Sequence, residues 1–330
     1  MNARSPLNDA LVATCLTLRG LEANNLLAFM ALLGLLRALD QVRPDWHPRV
    51  RWTGRPWTAE LLLDAAVTED DIATAADEGV LAIAGAYRLV PEASNQAVPR
   101  DVKFSADAYR TIVRDQRATV TGAALVSVLS AEHPLRKKDG TVMPSPLVLL
   151  FGQGHQHFLD RLIGVPRLPA PSVKPKRGEK PPKVPPTGSS KMVEALFAPW
   201  SRVDETDSFR WDPADDQRYA LRFGNPSKSG AARTTHGANR LAAVGLLSFP
   251  CVAGEYVLEA VGSLRTEGTR HYLWPIWTEP LALPGIETLL ARDLAAMESS
   301  ERSAYGIAQV MRSRRVSNGK FMNVTLGAEM

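Results

Sequence analysis

The amino-acid sequence predicts a mixed α/β fold of the α+β class, with a buried N-terminal helix, a mixed sheet and a C-terminal β-hairpin. The run from Leu26 to Leu36 has no polar face and follows Asn25, a residue type that often caps helices. A helix that is apolar on all sides has to be enclosed by protein, so this one is expected at the centre of the fold. Near the other end, two β-compatible runs flank Asn318 and Gly319, a dipeptide typical of tight hairpin turns.

Hydrophobic patterning and turn residues predict the other elements. Strands are expected at Leu11–Leu18, Val50–Thr53, Tyr219–Phe223, Tyr256–Val261 and His271–Trp277. Helices are expected at Asn25–Leu39, Trp57–Ala66, Ser105–Asp115 and Thr119–Ala131, after Gly154, within 237–250 and at Pro284–Met297. Gly34 lies inside the apolar helix, where glycine costs about 1 kcal/mol of helix propensity, and it indicates close approach by another backbone.

A proline-rich tract divides the chain. Eight of the 24 prolines fall between Pro166 and Pro186, together with several lysines. Proline has no amide donor and lysines repel one another, so we expect a mobile Pro/Lys-rich loop over residues 166–190. The loop separates an N-terminal α+β part, residues 1–165, from a C-terminal α+β part, residues 191–330, which contains the basic hairpin.

Cysteine usage and hydropathy indicate a cytoplasmic protein. Cys15 and Cys251 stand in apolar stretches, which favours a reducing compartment over a disulfide scaffold. The longest apolar run has eleven residues, whereas a membrane span needs about 20. The run also lacks the basic start and small-residue cleavage site of a signal peptide. We therefore expect neither a membrane partner nor export.

The sequence carries no strong enzymatic signature. It has no phosphate-loop motif, dinucleotide fingerprint or nucleophile elbow, so we expect no catalysis and no cofactor. His155, His157 and Asp160 are weak candidates for a metal site, because the two rings would diverge at a helix start. An alternative function is a metal-dependent nuclease that holds Mg²⁺ on the carboxylates of residues 204–216. These carboxylates are Asp204, Glu205, Asp207, Asp212, Asp215 and Asp216.

Three basic segments favour nucleic-acid binding in a chain of net charge +4. Lysine and arginine neutralise phosphates, while small polar groups fix the register of the contact. The second segment precedes a helix, whose N-terminal amides are suited to an anion. The candidate residues are Lys137 and Lys138, then Asn225, Ser227, Lys228 and Arg233, and finally Arg312, Arg314, Arg315, Asn318 and Lys320. Alternation places Arg312 and Arg314 on one face of the first hairpin strand and Arg315 on the other.

Three patches of sequence resemble one protein family. The segment Asn25-Leu-Leu-Ala-Phe-Met-Ala-Leu-Leu-Gly-Leu-Leu-Arg37 resembles an N-terminal signature of large subunits of the type I-U (I-G) CRISPR Cascade complex. Leu26 replaces the usual proline of that signature, and Ala28 replaces the usual glycine. Residues 151–159 form a similar glycine-rich turn before a helix, and residues 209–213 followed by 238–250 are the third likeness. None of these patches is a catalytic motif.

The resemblance implies a non-enzymatic DNA-binding subunit of an RNA-guided surveillance complex. Such a subunit would help to recognise the short protospacer-adjacent motif (PAM) in double-stranded DNA and to start strand separation, while guide-RNA pairing reads the remaining target. Its implied partners are double-stranded target DNA, CRISPR guide RNA, other Cas subunits and a recruited helicase-nuclease. The family's DNA contacts do not transfer by motif, so the candidate residues rest on charge and loop chemistry.

Overall fold

The computed structural model describes residues 13–90, 99–131, 140–149, 157–172, 184–214, 233–254, 257–318 and 321–330. Helices and β-sheets are both present, and the predicted α+β class is confirmed. The strand pairs of the described residues are antiparallel, so the sheet is not mixed as we expected. The predicted strand Tyr219–Phe223 and the central residues of the Pro/Lys-rich tract, 173–183, lie outside the described residues.

The N-terminal part contains a small antiparallel sheet and a set of helices. Its strands are β1 (Thr14–Glu22), β2 (Arg49–Thr53) and β3 (Thr58–Leu63), in the spatial order β1–β3–β2. Its helices are α1 (Leu26–Val42), α2 (Glu69–Gly85), α3 (Ala106–Gln116), α4 (Val120–Leu129) and α5 (Phe158–Arg167). Helix α6 (Gly188–Phe197) follows and packs against β1 and α2.

The C-terminal part is built around a second antiparallel sheet. Two short strands, β4 (Asp204–Glu205) and β5 (Arg233–Thr234), precede helix α7 (His236–Gly245). The following strands are β6 (Cys251–Ala253), β7 (Leu258–Ala260), β8 (Ser263–Thr266) and β9 (Thr269–Trp277). After α8 (Leu283–Leu290) and α9 (Ser299–Ala304) come β10 (Ile307–Asn318), β11 (Phe321–Val324) and β12 (Ala328–Glu329). The sheet order is β11–β10–β9–β8, and β12 also pairs with β10.

Helix α1 lies at the centre of the hydrophobic core, as the sequence predicts. The Asn25 side chain accepts hydrogen bonds from the amides of Leu27 and Ala28 and thereby caps the helix. The helix is buried from Leu26 through Leu36 and packs against α2 and α7. The same core cluster contains residues of both 1–165 and 191–330.

The close approach predicted at Gly34 is confirmed, and its partner is α7. A methyl group on Gly34 would overlap the backbone carbonyl of Leu241, and one on Gly245 would overlap the carbonyl of Met30. Each carbonyl lies four residues before the glycine of its own helix. The two backbones therefore contact each other reciprocally, as if related by a local two-fold axis.

The helix predicted at Trp57–Ala66 is wrong, because this segment contains the central strand β3. Strand β3 pairs with β1 on one side and with β2 on the other. Ala59, Leu61 and Leu63 are fully buried on one face, while Glu60 forms an ion pair with Arg51 on β2. Pairing on both edges outweighs the helical pattern of the isolated segment.

Other predicted elements differ at their ends. The helix expected at Pro284–Met297 ends at Leu290, since the Asp293 carboxylate then accepts the amide of Ala296 in a turn that competes with helix. The Pro/Lys-rich tract is shorter than 166–190 because both of its ends are helical. Helix α5 continues to Arg167, and Thr187 caps α6 by accepting the amide of Ser190.

Strand β9 fixes the C-terminal sheet to the N-terminal part. The indole Nε1 of Trp274 donates to the Ala23 carbonyl at 2.9 Å, and that of Trp277 donates to the Val50 carbonyl at 2.7 Å. The ring of Phe29 on α1 stacks against Trp274 with 5.9 Å between centroids. These contacts hold β9, and with it the neighbouring β10, in a defined position.

Within the described part of the chain, no helix has both the length and the hydropathy needed to cross a membrane.

We predict that Gly34→Ala and Gly245→Ala each lower the free energy of unfolding by about 2–4 kcal/mol, because the added methyl group forces two helix backbones apart. The measurement is urea unfolding followed by circular dichroism. Gly85→Ala, at the open end of α2 where a methyl group contacts nothing, is the matched control and should be neutral or slightly stabilising. Equal stability of all three variants would contradict the backbone contact.

Candidate nucleic-acid interface

Strand β10 continues past the main sheet as a two-stranded ribbon, which we call the basic ribbon (Arg315–Val324). Strand β10 pairs with β9 as far as Arg314, which lies opposite His271. From Arg315 to Asn318 the strand pairs with β11. The predicted C-terminal hairpin is therefore present, and it extends from a sheet that the core holds in place.

Arg312 and Arg314 lie together on one face at the base of the basic ribbon. The guanidinium Nε of Arg312 is 3.1 Å from Nδ1 of His271 on β9. Arg314 is exposed, and neither arginine forms an ion pair with any described carboxylate. Burial, together with the charges of Arg312 and Arg314, lowers the pKa of His271. The imidazole is therefore neutral near pH 7 and offers Arg312 an acceptor without adding charge.

Arg315 projects from the other face, as alternation predicts. It is hydrogen-bonded to the hydroxyl of Tyr272, whose pKa burial raises to about 12. Asn318 pairs with Phe321, so Asn318 is the last residue of β10 and not the first of a two-residue turn. Lys320 lies outside the described residues.

The other basic candidates are not brought to this face by the described structure. Arg233 lies on β5, in a separate two-stranded sheet, and forms an ion pair with Glu205 at 3.4 Å. Lys137 and Lys138 lie outside the described residues, as do Asn225, Ser227 and Lys228.

The N-terminus of α7 does not offer the free anion site that the sequence suggested. The backbone amide of His236 donates to the carboxylate of Asp204 at 2.9 Å. Helix α7 is buried along its whole length. A carboxylate of the protein itself therefore occupies the position at which a phosphate was expected.

Four of the six carboxylates considered for a nuclease are described by the structure, and each of the four is paired with a different base. Asp204 contacts Lys191 at 2.8 Å, Glu205 contacts Arg233 at 3.4 Å, Asp207 contacts Arg161 at 3.2 Å and Asp212 contacts Arg202 at 2.7 Å. Asp215 and Asp216 lie outside the described residues. The described residues contain no group of three His, Cys, Asp or Glu side chains able to hold a metal ion. The structure thus gives the nuclease alternative no support.

Asp212 has a structural role that its buried position explains. It is fully buried, and its carboxylate accepts from the amide nitrogen of Asn25 at 3.0 Å as well as from Arg202. Asn25 in turn caps α1. Asp212 therefore orients the cap of the central helix.

The two cysteines and the described residues of the His155–Asp160 segment add no support for a nucleophile or a metal site. Burial raises the pKa of the Cys251 thiol to about 12 and also raises that of Cys15, although Cys15 is exposed on β1. Asp160 forms an ion pair with Arg100, and His155 lies outside the described residues. His157 occupies the N-cap position of α5.

Sequence reasoning missed three residues that the fold brings to this sheet. His271 lies opposite Arg314, and Arg265 of β8 lies opposite Arg270 of β9. The alternating pattern of Thr269–Trp277 predicts a strand, but only the register between strands shows which arginines are neighbours.

Comparison of the sequence with protein-family models and with curated proteins gives no match.

We predict that Asp212→Ala lowers the free energy of unfolding by about 3–5 kcal/mol, since it leaves the buried Asn25 amide and Arg202 without their acceptor. Glu205→Ala removes an exposed carboxylate from the same cluster and should cost less than about 1 kcal/mol. Chemical unfolding of both variants measures the difference. If Asp212→Ala is as stable as Glu205→Ala, the structural role of Asp212 is wrong.

A second prediction concerns His236, which is fully buried and bonded through Nε2 to the Leu168 carbonyl at 2.7 Å. Burial lowers the pKa of His236 to about 4 from 6.5. As the pH falls, the imidazole of His236 is therefore protonated in the unfolded chain before it is protonated in the folded protein. The free energy of unfolding is highest above pH 6.5 and decreases as the pH falls towards 4. Between pH 7 and pH 5 the wild type should lose about 2 kcal/mol more than His236→Gln. Parallel pH dependences of unfolding in the two proteins would contradict this assignment.

Proposed function

We propose that this chain is a non-enzymatic DNA-binding subunit of an RNA-guided surveillance complex of the CRISPR Cascade type. In this role it acts in the cytoplasm, contacts double-stranded DNA near the PAM and helps to start strand separation. Guide RNA and other Cas subunits are its partners, and a helicase-nuclease is recruited to the assembled complex. The family assignment rests on the resemblance of residues 25–37, of residues 151–159, and of residues 209–213 followed by 238–250. The DNA contact rests on the basic ribbon.

The observation that carries the DNA-binding proposal is the face formed by Arg312 and Arg314. Some exposed arginines elsewhere in the protein do form ion pairs, such as Arg19 with Glu69 and Arg43 with Glu78. Arg312 and Arg314 have no such partner among the described residues and lie where the sheet narrows to two strands. Unneutralised guanidinium groups attract phosphates and release counterions from DNA when they bind.

The shape of the basic ribbon also suits duplex DNA. The major groove admits a two-stranded β-ribbon, and arginine binds the edge of guanine through two parallel hydrogen bonds. Arg312, whose orientation the His271 ring stabilises, is suited to such a fixed contact. Arg314 is exposed and is suited to a backbone phosphate. Most contacts are expected at phosphates, with few side chains at base edges.

We expect the double variant Arg312→Ala/Arg314→Ala to bind duplex DNA at least tenfold more weakly than the wild type. The dependence of log K on log salt should become shallower by about 0.9, because the phosphate contact of Arg314 is lost. Fluorescence anisotropy of the full chain with labelled duplexes, at several salt concentrations, measures both effects.

The matched control is Arg19→Ala/Arg43→Ala, which removes the same charge from arginines that already have acidic partners. It should change DNA affinity less than twofold. Equal weakening by both double variants would mean that net charge, and not the basic ribbon, determines binding. Unchanged affinity in the Arg312→Ala/Arg314→Ala variant would reject the ribbon as the DNA contact.

A separate experiment tests the partners. Affinity purification of the tagged full chain from its native cells should recover RNA of uniform length with a common repeat sequence, together with other Cas subunits. Single Arg312→Ala or Arg314→Ala variants in that complex should show which arginine relaxes the PAM preference and which weakens all targets equally. Recovery of the chain without RNA or Cas proteins would contradict the assignment to a surveillance complex.

A further inference from the structure

We infer that the opposite face of the C-terminal sheet carries a phosphate-binding site formed by Arg265, Arg270 and Arg315. The ligand class is a phosphate group, either free or within a nucleic-acid backbone. Only the assignment to a DNA phosphate rests on the function proposed above.

The register places the three arginines side by side. Arg265 of β8 and Arg270 of β9 are direct cross-strand partners. Arg314 of β10 lies opposite His271, so the next residue, Arg315, lies beside Arg270, and its charge acts on Arg270. Side chains of paired residues in an antiparallel sheet project from the same face. The arginines therefore form one row across three strands, on the face away from Arg312 and Arg314.

This row carries more positive than negative charge. Glu259 forms an ion pair with Arg270. Arg315 contacts the neutral Tyr272 hydroxyl, and exposed Arg265 forms no ion pair with a described residue. Three guanidinium groups are thus balanced by one carboxylate in the described structure.

Like charges directly opposite each other destabilise a sheet, and an anion bound between them removes that cost. Burial lowers the pKa of Arg270, and the charge of Arg315 lowers it further. Arg270 is 92% buried, and its terminal nitrogens contact Glu259, the Ser263 hydroxyl and the Leu258 carbonyl, while its Nε has no hydrogen-bond partner among the described residues. A phosphate has several acceptor oxygens and binds planar guanidinium groups through paired hydrogen bonds. The row is therefore suited to a phosphate that contacts more than one arginine.

Arg265 is the residue to change, because it is exposed, whereas replacing Arg270 would leave Glu259 unpaired in a half-buried position. Thermal unfolding of the full chain is measured with increasing pyrophosphate, and with sodium chloride at the same ionic strength. Wild type should show a pyrophosphate-specific rise in Tm of several degrees. Arg265→Gln should lose at least half of this rise, Arg265→Lys should lose less, and the remote control Arg43→Gln should retain it.

Duplex DNA binding distinguishes the two sources of phosphate. If the ligand is a DNA phosphate, Arg265→Gln weakens binding severalfold for all sequences and flattens the salt dependence by about 0.9. If the Tm effect depends on Arg265 but DNA affinity does not, the site takes a free phosphate or a small phosphorylated molecule. If Arg265→Gln keeps the full pyrophosphate-dependent rise in Tm and also binds DNA as tightly as the wild type, the inference is overturned. A different result would reject the proposed function and leave this site standing. In that case Arg265→Gln loses the pyrophosphate-dependent rise in Tm, but Arg312→Ala/Arg314→Ala binds duplex DNA as tightly as the wild type.

Discussion

Helices α1 and α7 approach so closely at Gly34 and Gly245 that no side chain fits between their backbones. This contact joins two distant parts of the sequence, because α1 belongs to the first sixth of the chain and α7 lies beyond the Pro/Lys-rich tract. Around it the core closes on every side of α1. The ring of Phe29 on α1 contacts the rings of Trp274 and Trp277 on β9. Helix α1 therefore packs directly against the sheet from which the basic ribbon extends.

Buried polar contacts fix the ends of the same two helices. Asp212 orients Asn25 at the start of α1, and Asp204 accepts the first amide of α7. On α7, the buried guanidinium of Arg240 pairs with Asp77 of α2. A buried carboxylate is unfavourable unless it is paired and hydrogen-bonded. Asp204 and Asp212, two of the acidic residues that suggest a metal site in the sequence, therefore hold the starts of the two helices in place.

The sequence predicts the features that depend on local chemistry. The unbroken apolar run of α1, the Asn25 cap, the close approach at Gly34 and the hairpin near Asn318 are all readable from neighbouring residues. Strand β3 cannot be predicted from neighbouring residues, because its stability comes from pairing with β1 and β2. The same limit applies to the site. Alternation separates Arg312 and Arg314 from Arg315, but only the pairing of β10 with β9, and of β9 with β8, shows that His271, Arg270 and Arg265 are neighbours.

Both faces of the β8–β9–β10 sheet thus present arginines close to the start of the basic ribbon. The proposed function requires that the ribbon contact duplex DNA. Photocrosslinking tests this most directly, with a photoreactive side chain at exposed Ser317 in the ribbon or, for comparison, at Leu81 on α2. With saturating duplex DNA bound to the full chain, we expect crosslinks to DNA from position 317 and few from position 81. Crosslinks from position 81 alone, or equal yields from both, would contradict it.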